Sequence, residues 1–475
     1  MDEYSSHPSE ASTSTSQAMS GGISRRSVVR GAAWAVPLVA VAVAVPMAAA
    51  SGPTVITPGD GVRFAGACSE ARNISFVVTD NTDRPLPGTQ VAITLPAGWS
   101  WRDGSTAPKL FTADVNGVVN VTGAIAGSTL GTASIIGSVL PSGPSVSVPV
   151  EVTGTIAREV SYLGTGATIP IRDMGGIPQG STAIAWNVFL APDGRLYSYH
   201  PDSGYSLVDT GVVSVTAQHY TQIPPASPTR ETDLVTYLKG DGTLKTWTSE
   251  GGGQLNGAVV KTGVPAGAKV VGWNSILYPN GNLWVGGTLV ASGVTSAVVQ
   301  HEIDSTGLVK DYATFVTPTG VHTGTFTPAG GWRPEGNYSA PSGDAKAIGW
   351  NFSLRPNGDL YYCDQLIAQN VVSAEGQHTT RNVGESDFIT YVTSNGTGVS
   401  QTFGTGVDKK TWTQNFGAGA KVVGWRGFLT ADGSLYNGDE LLDTQVVTAD
   451  SWHERGSAQP YNEFDWFAWT RGAAC

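Results

Sequence analysis

The chain has 475 residues, 61 of them Gly, with 14% charged residues and a formal net charge of −11. That length exceeds one core of ordinary size, so at least two domains are expected, and the sparse charge does not suit long charge-laced helices. The acidic balance argues against nucleic acid or an anionic membrane surface as a partner. It belongs to the body of the chain, because Asp2, Glu3 and Glu10 offset Arg25, Arg26 and Arg30. Cys68, Cys363 and Cys475 are too few for a disulfide framework and lack metal-ligand spacing. One pair could form, but spacing does not choose it. Free thiols are the expectation, since a secreted β domain of this size does not need staples. No metal or cofactor is expected.

Residues 1–50 read as an export signal. Ser24-Arg25-Arg26-Ser27-Val28-Val29-Arg30 precedes an apolar run from Gly31 to Met47, and Ala48-Ala49-Ala50 supplies a small-residue cleavage site. Pro37 and Pro46 interrupt that run, which speaks for cleavage over a retained span. Paired arginines followed by two apolar residues and a base resemble the twin-arginine signal. The resemblance implies a protein folded before export: secreted or extracellular, possibly wall-associated, with no membrane span after cleavage.

Residues 51–153 show short alternating runs separated by turn residues, the pattern of a β-sandwich. Ile74–Thr79 alternates, Asp80 to Gly88 is a Pro/Gly/Asp turn, and Val91–Leu95 alternates again. Further strands are expected at Leu110–Thr112, Val118–Val121, Ala133–Ile136 and Val146–Val152. The runs Asp83-Arg84-Pro85-Leu86-Pro87-Gly88-Thr89-Gln90-Val91 and Thr112-Ala113-Asp114-Val115-Asn116-Gly117 resemble bacterial Ig-like domains of the invasin and intimin type, with Ala113 inserted between Thr and Asp. The resemblance implies a surface spacer without chemistry of its own.

Residues 154–475 repeat. Ala183-Ile184-Ala185-Trp186, Val270-Val271-Gly272-Trp273, Ala347-Ile348-Gly349-Trp350 and Val422-Val423-Gly424-Trp425 each precede a hairpin of one kind. Its turns are Pro192-Asp193-Gly194, Pro279-Asn280-Gly281, Pro356-Asn357-Gly358 and Ala431-Asp432-Gly433. Asp-Gly and Asn-Gly suit a two-residue turn with positive φ. A second kind of unit alternates with the first, marked by Asp233–Tyr237, Asp311–Phe315, Asp387–Tyr391 and Asp465–Trp469. Eight units with a period near 40 are the signature of propeller blades. The fold expected is all-β: an Ig-like sandwich followed by an eight-bladed propeller. The segment around Arg158–Tyr162 would complete the last unit and close the ring. The Trp units resemble the repeats of tachylectin-type lectins and of regulator-of-chromosome-condensation proteins. The first resemblance implies repeated shallow sugar pockets; the second implies a basic or protein-binding face that the acidic charge does not support.

The candidate ligand-binding residues recur fourfold. His219, His301, His378 and His453 lie between a Trp unit and the following Asp strand, where an inter-blade connection on a propeller face is expected. Hydrogen bonding to a neighbouring loop is the alternative role. Asp233, Asp311, Asp387 and Asp465 either tie loops or meet sugar hydroxyls. The four Trp residues are expected to pack between blades, with Tyr205, Trp284, Tyr362 and Tyr436 as weaker candidates for stacking. No Gly-x-Ser-x-Gly elbow, His-Glu-x-x-His or phosphate loop is present, so no catalytic residue is named. Fourfold recurrence favours multivalent binding of a carbohydrate. The alternatives are an extracellular propeller hydrolase, which should show an asymmetric acid cluster, and a protein-binding or structural surface adhesin.

Overall fold

A computed structural model describes residues 53–475 apart from 164–169, 201–203, 223–229, 249–256, 304–307, 339–343, 380–384, 405–410, 456–462 and 474. The export signal expected over 1–50 lies outside the described residues.

Eight of the first ten strands form two facing sheets, and the other two, Ser100–Trp101 and Ala124–Ile125, pair with each other. One facing sheet holds Val55–Pro58, Ile74–Thr79 and Val118–Val121; the other holds Phe64–Gly66, Ser145–Thr153, Gly131–Val139, Gln90–Thr94 and Lys109–Thr112. Alternation works as read: along Ile74–Thr79 every second residue is buried. Phe76, Val91, Ile93, Val119, Ile135 and Val148 meet in the core at 0% exposure.

Eight four-stranded antiparallel sheets follow, each running from an inner to an outer strand. We number them blades 1–8. Blade 1 spans 182–209, blade 2 212–261, blade 3 269–291, blade 4 296–338, blade 5 346–368, blade 6 371–415 and blade 7 421–443. Blade 8 takes its two inner strands, Val446–Arg455 and Glu463–Gly472, from the C-terminal end, and its two outer strands, Thr155–Leu163 and Arg172–Ile177, from the propeller's beginning. Thr155–Leu163 pairs with Glu463–Gly472 over nine residues, which closes the ring by joining both ends of the propeller in one blade. The propeller is therefore eight-bladed, and the closing blade contains Arg158–Tyr162 as expected.

Two local expectations change. The turn after each Trp hairpin is a three-residue loop. In blade 1 the Ala191 amide donates to the Arg195 carbonyl at 2.9 Å, and Gly194 alone carries positive φ, at +80°. This is a turn ending in a left-handed residue, which lets the Asp or Asn keep ordinary φ. The Asp193 or Asn280 side chain instead accepts from the amide two residues on, at 3.1 Å in both cases. The left-handed Gly also anchors the next blade. Its carbonyl accepts from the first residue of that blade's inner strand, as in Val371 N–H to Gly358 O at 2.9 Å.

The second correction concerns the histidines. They lie on strands, not on connections: His219 within Val212–Gln222, His301 within Ser296–Ile303, His378 within Val371–Thr379 and His453 within Val446–Arg455. These are the innermost strands of blades 2, 4, 6 and 8.

The sandwich packs directly on the propeller. Phe64 enters a cluster with Met174 of blade 8 and with Tyr197 and Tyr205 of blade 1. Its ring meets those of Tyr197 and Tyr205 edge-on, with centroids 5.4 and 6.0 Å apart. Cys68 is bonded to Cys475, 407 residues away, so the sandwich is tied covalently to the chain end just after the closing blade. The expectation of free thiols therefore fails for two of the three cysteines. Sequence spacing could not show that the fold carries the chain end back to the sandwich. Cys363 stays unbonded.

Candidate functional site

The eight predicted site residues form four cross-strand pairs. His219 stands opposite Asp233, His301 opposite Asp311, His378 opposite Asp387 and His453 opposite Asp465. In each the imidazole Nδ1 meets a carboxylate oxygen, at 2.8, 2.6, 2.5 and 2.6 Å. All four imidazoles are buried, with side-chain exposures of 1, 5, 0 and 1%. Aromatic rings enclose them: Trp186 and Trp466 flank His219, Trp350 and Tyr312 flank His378, and Trp425 and Phe388 flank His453. Trp273 stands beside His301. The Trp residues thus pack between blades, and the His–Asp pairs tie the two inner strands of each even-numbered blade. A ligand on the surface does not reach these groups as they stand.

The weaker aromatic candidates separate. Tyr205 is covered by Phe64, and Tyr362 donates its hydroxyl to Asp387 Oδ2 at 2.6 Å. Trp284 lies beneath the Lys261 ammonium, 3.7 Å from the ring centroid. Tyr436 remains half-buried on blade 7.

The blade junctions differ in their polar groups. Between blades 1 and 2, Asp209 accepts from Lys239 and Lys245, each at 2.7 Å, and from the Tyr237 hydroxyl at 3.0 Å. Burial opposes ionisation of Asp209, but the lysine hydrogen bonds outweigh it and hold the carboxyl below the usual range. Between blades 7 and 8, Asp443 plays the same part with Arg471 at 2.7 Å, Arg158 at 3.1 Å and Trp469 Nε1 at 2.8 Å. The corresponding positions between blades 3 and 4 are Ala291, Thr317 and His322 by strand register. A pocket of about 340 Å³ lies on the outer three strands of blade 4, lined by His322 together with Phe315, Trp332, Glu335 and Asn337.

Phe315 and His322 stack inside the pocket at 5.2 Å and 19°. His322 Nε2 is 2.8 Å from Thr317 Oγ1, and burial lowers its pKa, favouring the neutral imidazole. Trp332 is half-buried and lies across Gly324, where an added Cβ would stand 2.4 Å from the indole. Glu335 and Asn337 supply the polar wall. A shift in strand pairing between Thr323 and Gly324 brings in Glu335 as the extra residue. Thr325 donates to the Glu335 carboxylate at 2.8 Å, which fixes the acid's direction.

Sequence reading missed this pocket because His322, Trp332, Glu335 and Asn337 do not recur. The visible signal was a local excess of polar and aromatic residues on two strands of one unit. Among the described residues, no three His, Cys, Asp or Glu side chains converge as metal ligands. No described helix is long and apolar enough to cross a membrane.

No family model and no curated protein matches the chain. Among solved structures it is similar to the SapL1 lectin in complex with alpha methyl fucoside, at 15% identity and TM-score 0.29, covering 59% of this chain and 93% of that one. It is also similar to the BP39L lectin from Burkholderia pseudomallei, at 10% identity and TM-score 0.29, covering 76% and 98%. A bacterial integrin-binding invasin matches at 13% identity and TM-score 0.17, covering 78% and 80%. At such scores these likenesses carry no argument about a ligand. The propeller assignment stands on the chain's own eight sheets.

Proposed function

We propose that this is an exported carbohydrate-binding protein in which an Ig-like sandwich, residues 51–153, is clamped to a propeller, residues 154–475. The observation that carries the sugar reading is the Trp332 pocket. A sugar ring has an apolar C–H face and a rim of hydroxyls. The half-buried indole of Trp332 matches the face, while Glu335, Asn337 and neutral His322 offer acceptors and donors for the rim. A volume of about 340 Å³ suits one sugar residue better than a long chain. The Cys68–Cys475 bond supports an oxidising compartment, in keeping with Arg25-Arg26 and the small-residue site that follows.

The test is a glycan panel probed with the exported chain and its Trp332→Ala and Glu335→Gln variants. Selective binding is expected, weakened at least tenfold by either change (about 1.4 kcal/mol), with unfolding temperatures unchanged. Binding that survives both changes would remove the pocket from the reading.

A further inference from the structure

A second cavity, of about 350 Å³, lies at the centre of the ring, lined by innermost strands from around it. Three residues before each paired histidine stand Thr216, Val298, Glu375 and Asp450, and all four line this cavity. Fourfold repetition thus ends in two carboxylates on one side, from blades 6 and 8. The Gln377 side chain and the Gly424 amide lie beside Glu375 and favour its charged form. No other titratable side chain lines the cavity among the described residues.

The residue just before each histidine adds two observations. Gln300 and Gln377 are fully engaged across the ring: their amide nitrogens donate to Gly376 O and Ser451 O, and their oxygens accept from Trp350 N–H and His453 N–H. Gln218, 7% exposed and lining the cavity, accepts from His301 N–H at 3.0 Å, but its amide nitrogen has no partner among the described residues. In blade 8 the Gln is replaced by Trp452, whose ring also lines the cavity. A half-open space therefore holds two acids, a free amide donor, an aromatic face and aliphatic walls from Ile184 and Ile348.

We infer that the central cavity binds a small organic cation: a primary amine that carries an acceptor oxygen a few bonds away. Glu375 and Asp450 supply the counter-charge, Trp452 an aromatic face, and Gln218 a donor for the oxygen. Holding two neighbouring, half-buried carboxylates together is costly unless a cation or a shared proton offsets them. A calcium ion fits less well, because it asks for six or more oxygens and, among the described residues, the only carboxylates lining the cavity are Glu375 and Asp450. Without ligand the pair keeps a proton at neutral pH: burial raises Glu375 to about 7, and burial and then Glu375 push Asp450 well above its ordinary value. An incoming ammonium displaces that proton, so binding strengthens as pH rises through 7 and releases a proton to the buffer.

The experiment is calorimetric titration of the exported chain with 4-aminobutan-1-ol at pH 8, in two buffers of different ionisation enthalpy. Butane-1,4-diol and calcium chloride serve as controls. The expected result is one site per chain, a buffer-dependent heat, no diol binding, and affinity lowered at least tenfold in Glu375→Gln and in Asp450→Asn. Both variants remove a half-buried charge while keeping shape, so they should fold, with circular dichroism as the check. Trp332→Ala should leave amine binding intact, which separates this site from the sugar pocket. Absence of amine binding by the folded parent, equal binding of the diol, or carboxylate-dependent calcium binding in place of the amine would overturn the proposal.

Discussion

Asp387 shows how much one buried carboxylate can organise. Its oxygens accept from His378 at 2.5 Å, from the Tyr362 hydroxyl at 2.6 Å and from Asn351 Nδ2 at 3.2 Å, so blade 5 is joined to blade 6 through one side chain. Replacing it with Ala strands three polar partners, and a loss of about 3 kcal/mol is expected in urea unfolding. A change of no more than about 0.5 kcal/mol would mean that water serves those partners equally well. The recurrence of His and Asp was legible in the sequence, but their pairing was not. A contact between residues 9 to 14 positions apart depends on strand register across an intervening connection, and composition does not encode that. Glu375, Asp450 and Trp332 escaped for the opposite reason. Each departs from its repeat, and a search for recurrence passes over departures.

Blades were legible where a strand is buried on both faces. Ser386–Thr393 has seven of its eight residues buried and stands out as an apolar run. The innermost strands turn one face to the central cavity and carry polar residues such as Thr216, Gln218 and Gln300 there. They read as connections, which is why the histidines were placed on a face. The hairpin turns were legible by residue type but not by length, since Asp-Gly serves two-residue and three-residue loops alike. The turn geometry gives a sharp comparison. Gly358 has φ +86° and a Cβ there would stand 2.9 Å from Val371 N, whereas Gly417 has φ +80° with nothing within 4 Å. Gly417→Ala should cost about 1 kcal/mol, from backbone strain alone. Gly358→Ala should cost at least about 2 kcal/mol, because the start of blade 6 must also shift. Equal losses in thermal unfolding would show that the turn does not position the next blade.

For the whole molecule, closure combines the two-plus-two blade 8 with the Cys68–Cys475 bond. Cross-linking residues 407 apart restricts the unfolded chain strongly, on the order of 5 kcal/mol by loop entropy. Cys68→Ser should therefore lower the unfolding temperature by several degrees, and reducing agent should do the same to the parent but not to the variant. An unchanged transition would show that the bond adds nothing to closure. The sandwich is no detached spacer, since Phe64 is 5% exposed against blades 1 and 8. Eight units and their closure are readable from one chain because two kinds of unit alternate four times, one marked by its Trp and turn, the other by its Asp strand. The sandwich's docking is not, because one aromatic residue entering a distant cluster leaves no periodic mark.

Sugar binding is expected at one pocket, on blade 4. Its most direct test is calorimetric titration with the tightest glycan from the panel, comparing parent and Trp332→Ala. One site per chain is expected, lost in the variant while the fold is kept. Four equivalent sites, or one unaffected by the change, would contradict it.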